Sequence, residues 1–490
     1  MDKKPAYLHR FLEILPGTVS WFLILFPVWG SLLIPQAVAY YIITFDVYWL
    51  YRSVSMAIMA VLSYLKMKAA KSYDWMKDVN GFGDWEELHH IIIIPTYEEP
   101  LYILRRTLDA LKNQTFPSKK ISVFLAFEKR EGKTALEKYK LLKKEYRAYF
   151  ANLVSTFHPD IKGETKGKSS NTAYAAKIAK QLIVDKQKHK IDYITITSED
   201  ADARFHEEYF ACLSFKFLDN PQRFNRIWQP GIMYYNNIWK APIPIRVFSA
   251  MSSIVQISLL NRTDRLINFS TYSTSLKMID KIGYWDTDVI PEDYRLFFKA
   301  YFKLNGQLEV NPIFLPVLAD AVLSAKLFKT LKNQYEQVKR WAWGVSDDAY
   351  IIENWLKGKD TPFWDKTIRV LKVIEDHFLW PVNWFAVTLG ATLPPLLNDK
   401  FARTIIGKRL PQTSSLILTI SLISMIIMII IDLKQRPKKQ EQTLLSKMLT
   451  PFEFILLPVV GFFFSALPGI DAHTRLMLGK YIEYKVTEKV

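Results

Sequence analysis

Three charged clusters in this chain have the residue types and spacing that chemistry requires. Asp200 and Asp202 sit in Ser198-Glu199-Asp200-Ala201-Asp202, directly after an apolar run. Two carboxylates at i and i+2 leaving a strand can share one hard cation through oxygen ligands, and that cation can neutralise a diphosphate leaving group. The plain alternative is a solvated acidic loop. A second cluster is Trp285-Asp286-Thr287-Asp288-Val289-Ile290-Pro291-Glu292-Asp293. A carboxylate here can take the proton of an attacking hydroxyl. Pro291-Glu292-Asp293 before Tyr294-Arg295-Leu296 is also good chemistry for a helix start, and the two roles are compatible. In the third cluster, Gln337-Val338-Lys339-Arg340-Trp341, Gln337, Arg340 and Trp341 share one helical face. Arg340 offers a forked donor to phosphate, Gln337 a neutral donor and acceptor, and Trp341 a flat surface for a sugar ring. The surrounding Lys, Tyr and Trp residues also suit an amphipathic helix lying on a membrane.

These clusters need elements to aim them. Residues 90–94 form a short apolar run closed by Pro95, the pattern of a fully buried strand. Residues 101–111 carry leucines at helical spacing, 121–127 read as a second strand, 133–149 as a charged helix and 152–157 as a third strand. An Ala-rich helix over 172–182 and a fourth strand over 191–197 follow. Alternating strands and helices imply a mostly parallel sheet covered on both faces. Ligands of such sheets bind beyond the carboxyl ends of the strands, which is where each charged cluster falls.

The order Asp-x-Asp, Glu-Asp, Gln-x-x-Arg-Trp, then apolar segments resembles the family 2 glycosyltransferases of the cellulose, chitin and hyaluronan synthase kind. Ile94-Pro95-Thr96-Tyr97-Glu98-Glu99-Pro100 is similar to that family's first-strand motif, with Glu98 in place of the usual Asn. The resemblance covers residues 91–343 and the flanking segments. It implies a GT-A-type nucleotide-sugar-binding domain, α/β with a mostly parallel sheet, flanked by transmembrane helices. It further implies an inverting hexosyltransferase that uses Mg²⁺ or Mn²⁺ held by Asp200 and Asp202. Asp293 becomes the catalytic base, with Thr96, Glu98, Glu128, Lys168, Asp200 and Asp202 around the donor. Glu292, Gln337, Arg340 and Trp341 fall to the acceptor and pyrophosphate. Lys168 belongs to Gly167-Lys168-Ser169-Ser170-Asn171, similar to a basic-Gly-Asn segment of the family, whereas His158-Pro159 reads as loop. One departure stands out. The family ends its second strand with an Asp-Asp pair at the nucleotide base, and this chain has Phe127-Glu128-Lys129-Arg130-Glu131.

Composition adds the setting. Half of the 490 residues are hydrophobic and 14% aromatic, with the apolar residues crowded toward both ends. Apolar stretches over 19–34, 37–65, 378–397, 415–431 and 454–470 are candidate spans, the last bent or re-entrant because of Pro458 and Pro468. A cleavable signal peptide is the alternative at the start, with Ala37-Val38-Ala39 as its site, but a second apolar run follows at once. The expected organisation is two transmembrane helices in 1–66, a cytosolic catalytic domain in 67–330, interfacial helices in 331–370 and about three segments in 371–490.

Lys3, Lys4 and Arg10 before the first span, with Lys66, Lys68 and Lys71 after the second, put the catalytic domain in the cytosol of a multi-pass plasma-membrane protein. Lys434, Arg436, Lys438, Lys439 and Lys447 place the later loop inside too; counting spans puts the tail outside, whereas Arg475, Lys480, Lys485 and Lys489 argue inside, and a re-entrant fifth segment fits both. Asp46 and Arg52, in or near the second span, are costly there and hint at a pore or acceptor role. The net charge of +17 suits anionic lipid and phosphates. Nucleic acid is excluded as a partner, since no recognition motif accompanies the charge. Cys212 is the only cysteine, so no intrachain disulfide forms.

The expected partners are therefore a nucleotide-sugar donor, a saccharide or lipid-linked acceptor, and membrane lipid. A competing class is a nucleotide-driven transporter with Gly163-Glu164-Thr165-Lys166-Gly167-Lys168-Ser169 as its phosphate loop. That loop has three residues between its glycines where the P-loop pattern needs four.

Overall fold

The structure is a computed structural model that describes residues 6–439 and 443–484. Lys3, Lys4, Lys485 and Lys489, used in the orientation argument, lie outside the described residues. Four strands form the half of the sheet that carries the site: β1 (His89–Thr96), β2 (Ile121–Glu128), β3 (Asn152–His158) and β4 (Ile194–Ser198). They pair in parallel in the order β3-β2-β1-β4. Parallel strands are covered on both faces, so they read as continuous apolar runs. Side chains alternate across the sheet, sending Ile92 and Ile94 into one core and Ile91 and Ile93 into the other.

The helices Leu101–Lys112, Lys133–Tyr146 and Lys168–Lys180 supply the crossovers. Leu104, Leu108 and Leu111 fill the first core with Leu125 and Phe127. Ala173, Ala175, Ala176 and Ala179 fill the second, where small side chains bring the helix close to β1 and β2.

The other half is mixed, while the sheet as a whole is mostly parallel, as expected. β5 (Arg204–Phe205), β6 (Arg226–Met233), β7 (Tyr272–Ser275) and β8 (Glu309–Leu318) extend the order to β3-β2-β1-β4-β7-β6-β8-β5. β7 runs antiparallel to both β4 and β6, β5 runs antiparallel to β8, and β6 and β8 are parallel. No apolar run announces β7: it is Tyr-Ser-Thr-Ser, fully buried because Thr197 and Tyr209 hydrogen-bond to Ser273. Prolines and a bulge at Pro230/Gly231 break up the patterns of β6 and β8.

Among the described residues, four helical runs are long and apolar enough to cross a membrane: Tyr7–Leu33, Pro35–Lys71, Ile405–Gln435 and Lys447–Met477. The stretch 378–397 falls on the apolar second half of the Phe363–Leu389 helix and the short Leu393–Leu397 helix. The last run changes from 3₁₀ to α, π and α again, with Pro458 and Pro468 each in the first turn of an α segment.

Contacts fix how these ends lie. Asn398 Nδ2 donates to the Ser31 carbonyl at 3.1 Å, joining the far ends of the helical layer. At the near end, Arg10 donates to the Leu476 carbonyl at 2.9 Å, His9 meets Glu353 at 2.8 Å and the Tyr481 hydroxyl donates to Glu13 at 2.8 Å. The Lys447–Met477 run touches that same side at both ends, through Glu453 with Arg246 and Asp471 with Lys339. Asp46 is buried and accepts from Ser414 on the facing helix, while Arg52 pairs with Asp376 at 2.8 Å.

Candidate active site

β4 delivers Asp200 to the carboxyl edge of the sheet, beside β1, in the register Ile93 to Ser198. Its Oδ1 lies 2.8 Å from Lys168 Nζ, its Oδ2 accepts from the Ser270 hydroxyl, and its N–H donates to Thr271 Oγ1 at 3.0 Å. Lys168 opens the Lys168–Lys180 helix immediately after Gly167, whose φ of +140° is open to glycine and not to ordinary side chains. The same ammonium lies 3.0 Å from Glu292 Oε1 and donates to the Ser270 carbonyl. Burial by itself lowers an ammonium's pKa, but Asp200 and Glu292 outweigh it and hold Lys168 above its usual range.

Glu292 and Asp293 occupy the first turn of the Glu292–Lys303 helix, so the helix-start reading and the chemical reading both hold locally. Asp293 accepts from its neighbour Tyr294's N–H at 3.0 Å and from the Ser270 N–H at 3.3 Å. Burial and then the Glu292 charge push its carboxyl up to about 7, against the pull of Lys168 and the two amides. A carboxyl poised there suits a general base at neutral pH.

Asp202 meets a different part of the chain from Asp200. It is buried, and its Oδ2 accepts the Asp320 N–H at 2.7 Å, tying the end of β4 to the residue chain leaving β8. Just before Asp200, Glu199 is fully buried with neither carboxylate oxygen hydrogen-bonded, and burial, then Asp200 and Asp202, hold it well above the carboxylate range. Among the described residues, no three His, Cys, Asp or Glu side chains gather as a metal cage.

Thr96 ends β1, buried, with a hydroxyl that has no partner. Glu98 is exposed at φ +58°, and its N–H donates to Glu131 at 3.0 Å. Glu128 ends β2 and holds Arg130 Nε at 2.6 Å, while that guanidinium lies 3.8 Å from the Tyr97 ring centroid. Thr96, Glu98 and Glu128 thus meet on one edge, next to Asp200. His158, read as loop, is the buried last residue of β3 and pairs with Glu164 at 2.9 Å.

The Gln337, Arg340 and Trp341 group rides on the Leu327–Ala342 helix. Trp341 is stacked with Tyr234 and Phe248 at centroid distances of 6.0 and 6.2 Å, packing between the sheet domain and the Ile243–Leu259 helix. Arg340 lies 4.7 Å from the ring centroid of Tyr484. Tyr484 sits so close to Gly167 that a Cβ there would be 2.6 Å from its ring.

Sequence reasoning missed Ser270, Thr271 and Tyr484. Ser270 is the hub that joins Asp200, Lys168 and Asp293, at φ +57°. Its only signal was a polar pair, Ser270-Thr271, before a polar strand.

No family model and no curated protein matches the sequence. Among solved structures, the chain is similar to the mannosyltransferase PcManGT from Pyrobaculum calidifontis in complex with GDP-Man and Mn²⁺, at 12% identity and a TM-score of 0.42, covering 80% of this chain and 99% of that one. It is also similar to S. aureus TarS 1-349 in complex with UDP-GlcNAc, at 12% identity and a TM-score of 0.34, covering 81% and 94%. Likenesses this distant carry no functional argument, and the site's own geometry has to carry it.

That geometry leaves the transporter alternative without a phosphate loop. The Thr165 N–H, one of the amides a phosphate would need, donates to the Thr287 carbonyl at 2.7 Å.

Proposed function

We propose that the chain is a membrane-embedded glycosyltransferase that moves a sugar from a nucleotide-sugar donor to a saccharide or lipid-linked acceptor, with inversion. The observation that carries this reading is Asp293: a carboxyl near neutrality, bridged by Ser270 to Asp200 at the carboxyl edge of the sheet. Asp293 takes the acceptor's hydroxyl proton as the acceptor oxygen bonds to the anomeric carbon. The bond from that carbon to the diphosphate breaks, and its electron pair leaves with the nucleotide. Lys168 and Arg340 neutralise the departing charge. Thr96, Glu98 and Glu128 line the edge where the donor's nucleoside would lie.

Asp200 and Asp202 are the residues that would hold a divalent cation. Carboxylate oxygens suit Mg²⁺ or Mn²⁺, and Mg²⁺ commonly takes one or two protein carboxylates and completes its shell with phosphate and water. When bound, such an ion neutralises charge on the diphosphate.

The same reading makes this a family 2 type enzyme with its catalytic domain in the cytosol. Four passes account for the contacts: Tyr7–Leu33 outward, Pro35–Lys71 back, Phe363–Leu389 outward and Ile405–Gln435 back. The Lys447–Met477 run then lies along the near surface, since both its ends touch near-side residues. That arrangement puts the tail inside, in agreement with its basic residues.

The test is to reconstitute the full chain in vesicles and offer UDP- and GDP-sugars. Release of nucleoside diphosphate with sugar transfer, abolished in Asp293→Asn, supports the reading. Hydrolysis of ATP without sugar transfer overturns it.

A further inference from the structure

Asp293 and Arg340 serve one reaction from two different helices, Glu292–Lys303 and Leu327–Ala342. One takes the acceptor's proton and the other faces the departing diphosphate, so their relative placement sets the line of attack. In-line transfer is sensitive to that placement: a shift of about 1 Å can cost roughly 10²-fold in rate.

Arg295 and Asp347 tie the two helices together. Arg295 stands two residues after Asp293, in the same helical turn, and Asp347 ends the Trp343–Asp347 turn that continues the second helix. Arg295 reaches Asp347 Oδ1 with Nη2 at 2.6 Å and with Nε at 3.2 Å, while Nη1 lies 3.4 Å from Asp286 Oδ2. The guanidinium also lies 3.8 Å from the ring centroid of Tyr350. Asp347 is buried and its Oδ2 has no hydrogen-bond partner, so Arg295 is the cation that answers its charge.

Both ends of the pair are themselves held. Asp286 lies 2.7 Å from Lys299, one turn further along the base helix, and its carbonyl accepts the hydroxyl of Ser169, next to Lys168, at 2.6 Å. Asp348, next to Asp347, meets His377 of the Phe363–Leu389 helix at 2.7 Å. The His377 ring centroid is 5.5 Å from that of Tyr294, the residue after the base. The two residues that follow Asp293 are thus fixed from outside their helix, one by a ring contact and one by an ion pair.

A buried ion pair is a poor source of stability, since apolar residues of similar volume often do as well or better. What it supplies is one geometry. A guanidinium binds through a planar fork, and here the fork spans two carboxylates on two segments, which an ammonium's single point of charge does not reproduce. We infer that Arg295 and Asp347 are positioning residues, which hold the base in line with Arg340 and so set the direction from which the acceptor attacks. The pairing rests on the distances; its catalytic meaning rests on the sugar-transfer reading.

The test uses the full chain in vesicles with nucleotide sugar and acceptor, and reads kcat, donor KM and thermal unfolding. Arg295→Lys keeps the charge and loses the fork. Arg295→Met combined with Asp347→Leu removes both charges, strands neither and roughly keeps the volume. In both variants kcat is expected to fall about tenfold or more while donor KM changes little. The double variant should unfold no lower than wild type. Wild-type kcat in the double variant overturns the positioning role, as does loss of kcat and donor affinity in step with unfolding temperature; either result leaves the pair purely structural. A wild-type chain that releases no nucleoside diphosphate from any nucleotide sugar overturns the transfer reading, and this role with it. Turnover by the wild type with unchanged variants overturns the positioning role alone.

Discussion

Lys168 Nζ lies 3.0 Å from Glu292 Oε1, in an ion pair largely shut off from water. Asp200 shares the same ammonium at 2.8 Å, and Asp293 stands next in sequence to Glu292, so one cation faces three carboxylates. Removing it strands their charges. Lys168→Met is expected to destabilise the chain by roughly 3–5 kcal/mol, the usual cost of breaking a buried pair. It should also move the base's titration upward, since Lys168 lowers the Asp293 pKa. Thermal unfolding and a pH–rate profile check the two effects separately.

Asp293 gives a prediction with a definite sign. Its carboxyl is raised from the ordinary range to about 7, so activity should climb with pH through that value as the base ionises. Stability should run the other way: the raised group favours the folded state below pH 4 and loses that contribution as pH rises toward and past 7. Asp293→Asn, neutral at every pH, should therefore cut turnover by about 10²–10⁴-fold while unfolding at a higher temperature than wild type at pH 8. Donor affinity should survive. A variant with lost affinity and normal turnover would exchange the roles of Asp293 and Asp202.

Ser270 carries no charge and yet touches the whole site. Ser270→Ala keeps the N–H to Asp293 and loses the hydroxyl that Asp200 accepts. Donor KM is expected to rise more than kcat falls, because the Asp200 carboxylate loses its orientation while the base keeps its amide. Equal loss in both parameters would contradict that division.

At Gly167 a side chain meets both a forbidden backbone region and the Tyr484 ring. Gly167→Ala should disturb the start of the Lys168 helix and lower stability and activity together. In the double variant with Tyr484→Ala the ring clash is gone but the φ of +140° remains, so only part of the loss should return. Full recovery would show that the backbone conformation itself was unimportant.

Excess chelator should stop donor turnover, with Mg²⁺ or Mn²⁺ restoring it. Asp200→Asn should weaken metal and donor binding together, measured by calorimetry. Undiminished turnover in chelator would remove the metal from the mechanism.

How much of this was legible in the chain depends on how each part is encoded. β1 to β4 and their helices could be read because buried parallel strands are continuous apolar runs and amphipathic helices repeat with their own period. The carboxyl-edge position of Asp200, Glu128 and Lys168 followed from that order. β7 was not legible, since Ser273 and Thr274 are buried by hydrogen bonding, and hydrogen-bond satisfaction leaves no hydropathy signal. The different partners of Asp200 and Asp202 were also hidden, because the Asp320 N–H that holds Asp202 comes from over a hundred residues away.

The sequence by itself therefore determined the residue types, their order and the edge of the sheet on which they gather, all through local periodicity and spacing. The tertiary structure alone decided which charges pair, that Ser270 joins metal-side and base-side carboxylates, and that the chain's last described residue packs on Gly167. Those are contacts between segments remote in sequence. They depend on burial and on a shared low-dielectric surrounding, neither of which any single stretch of chain contains.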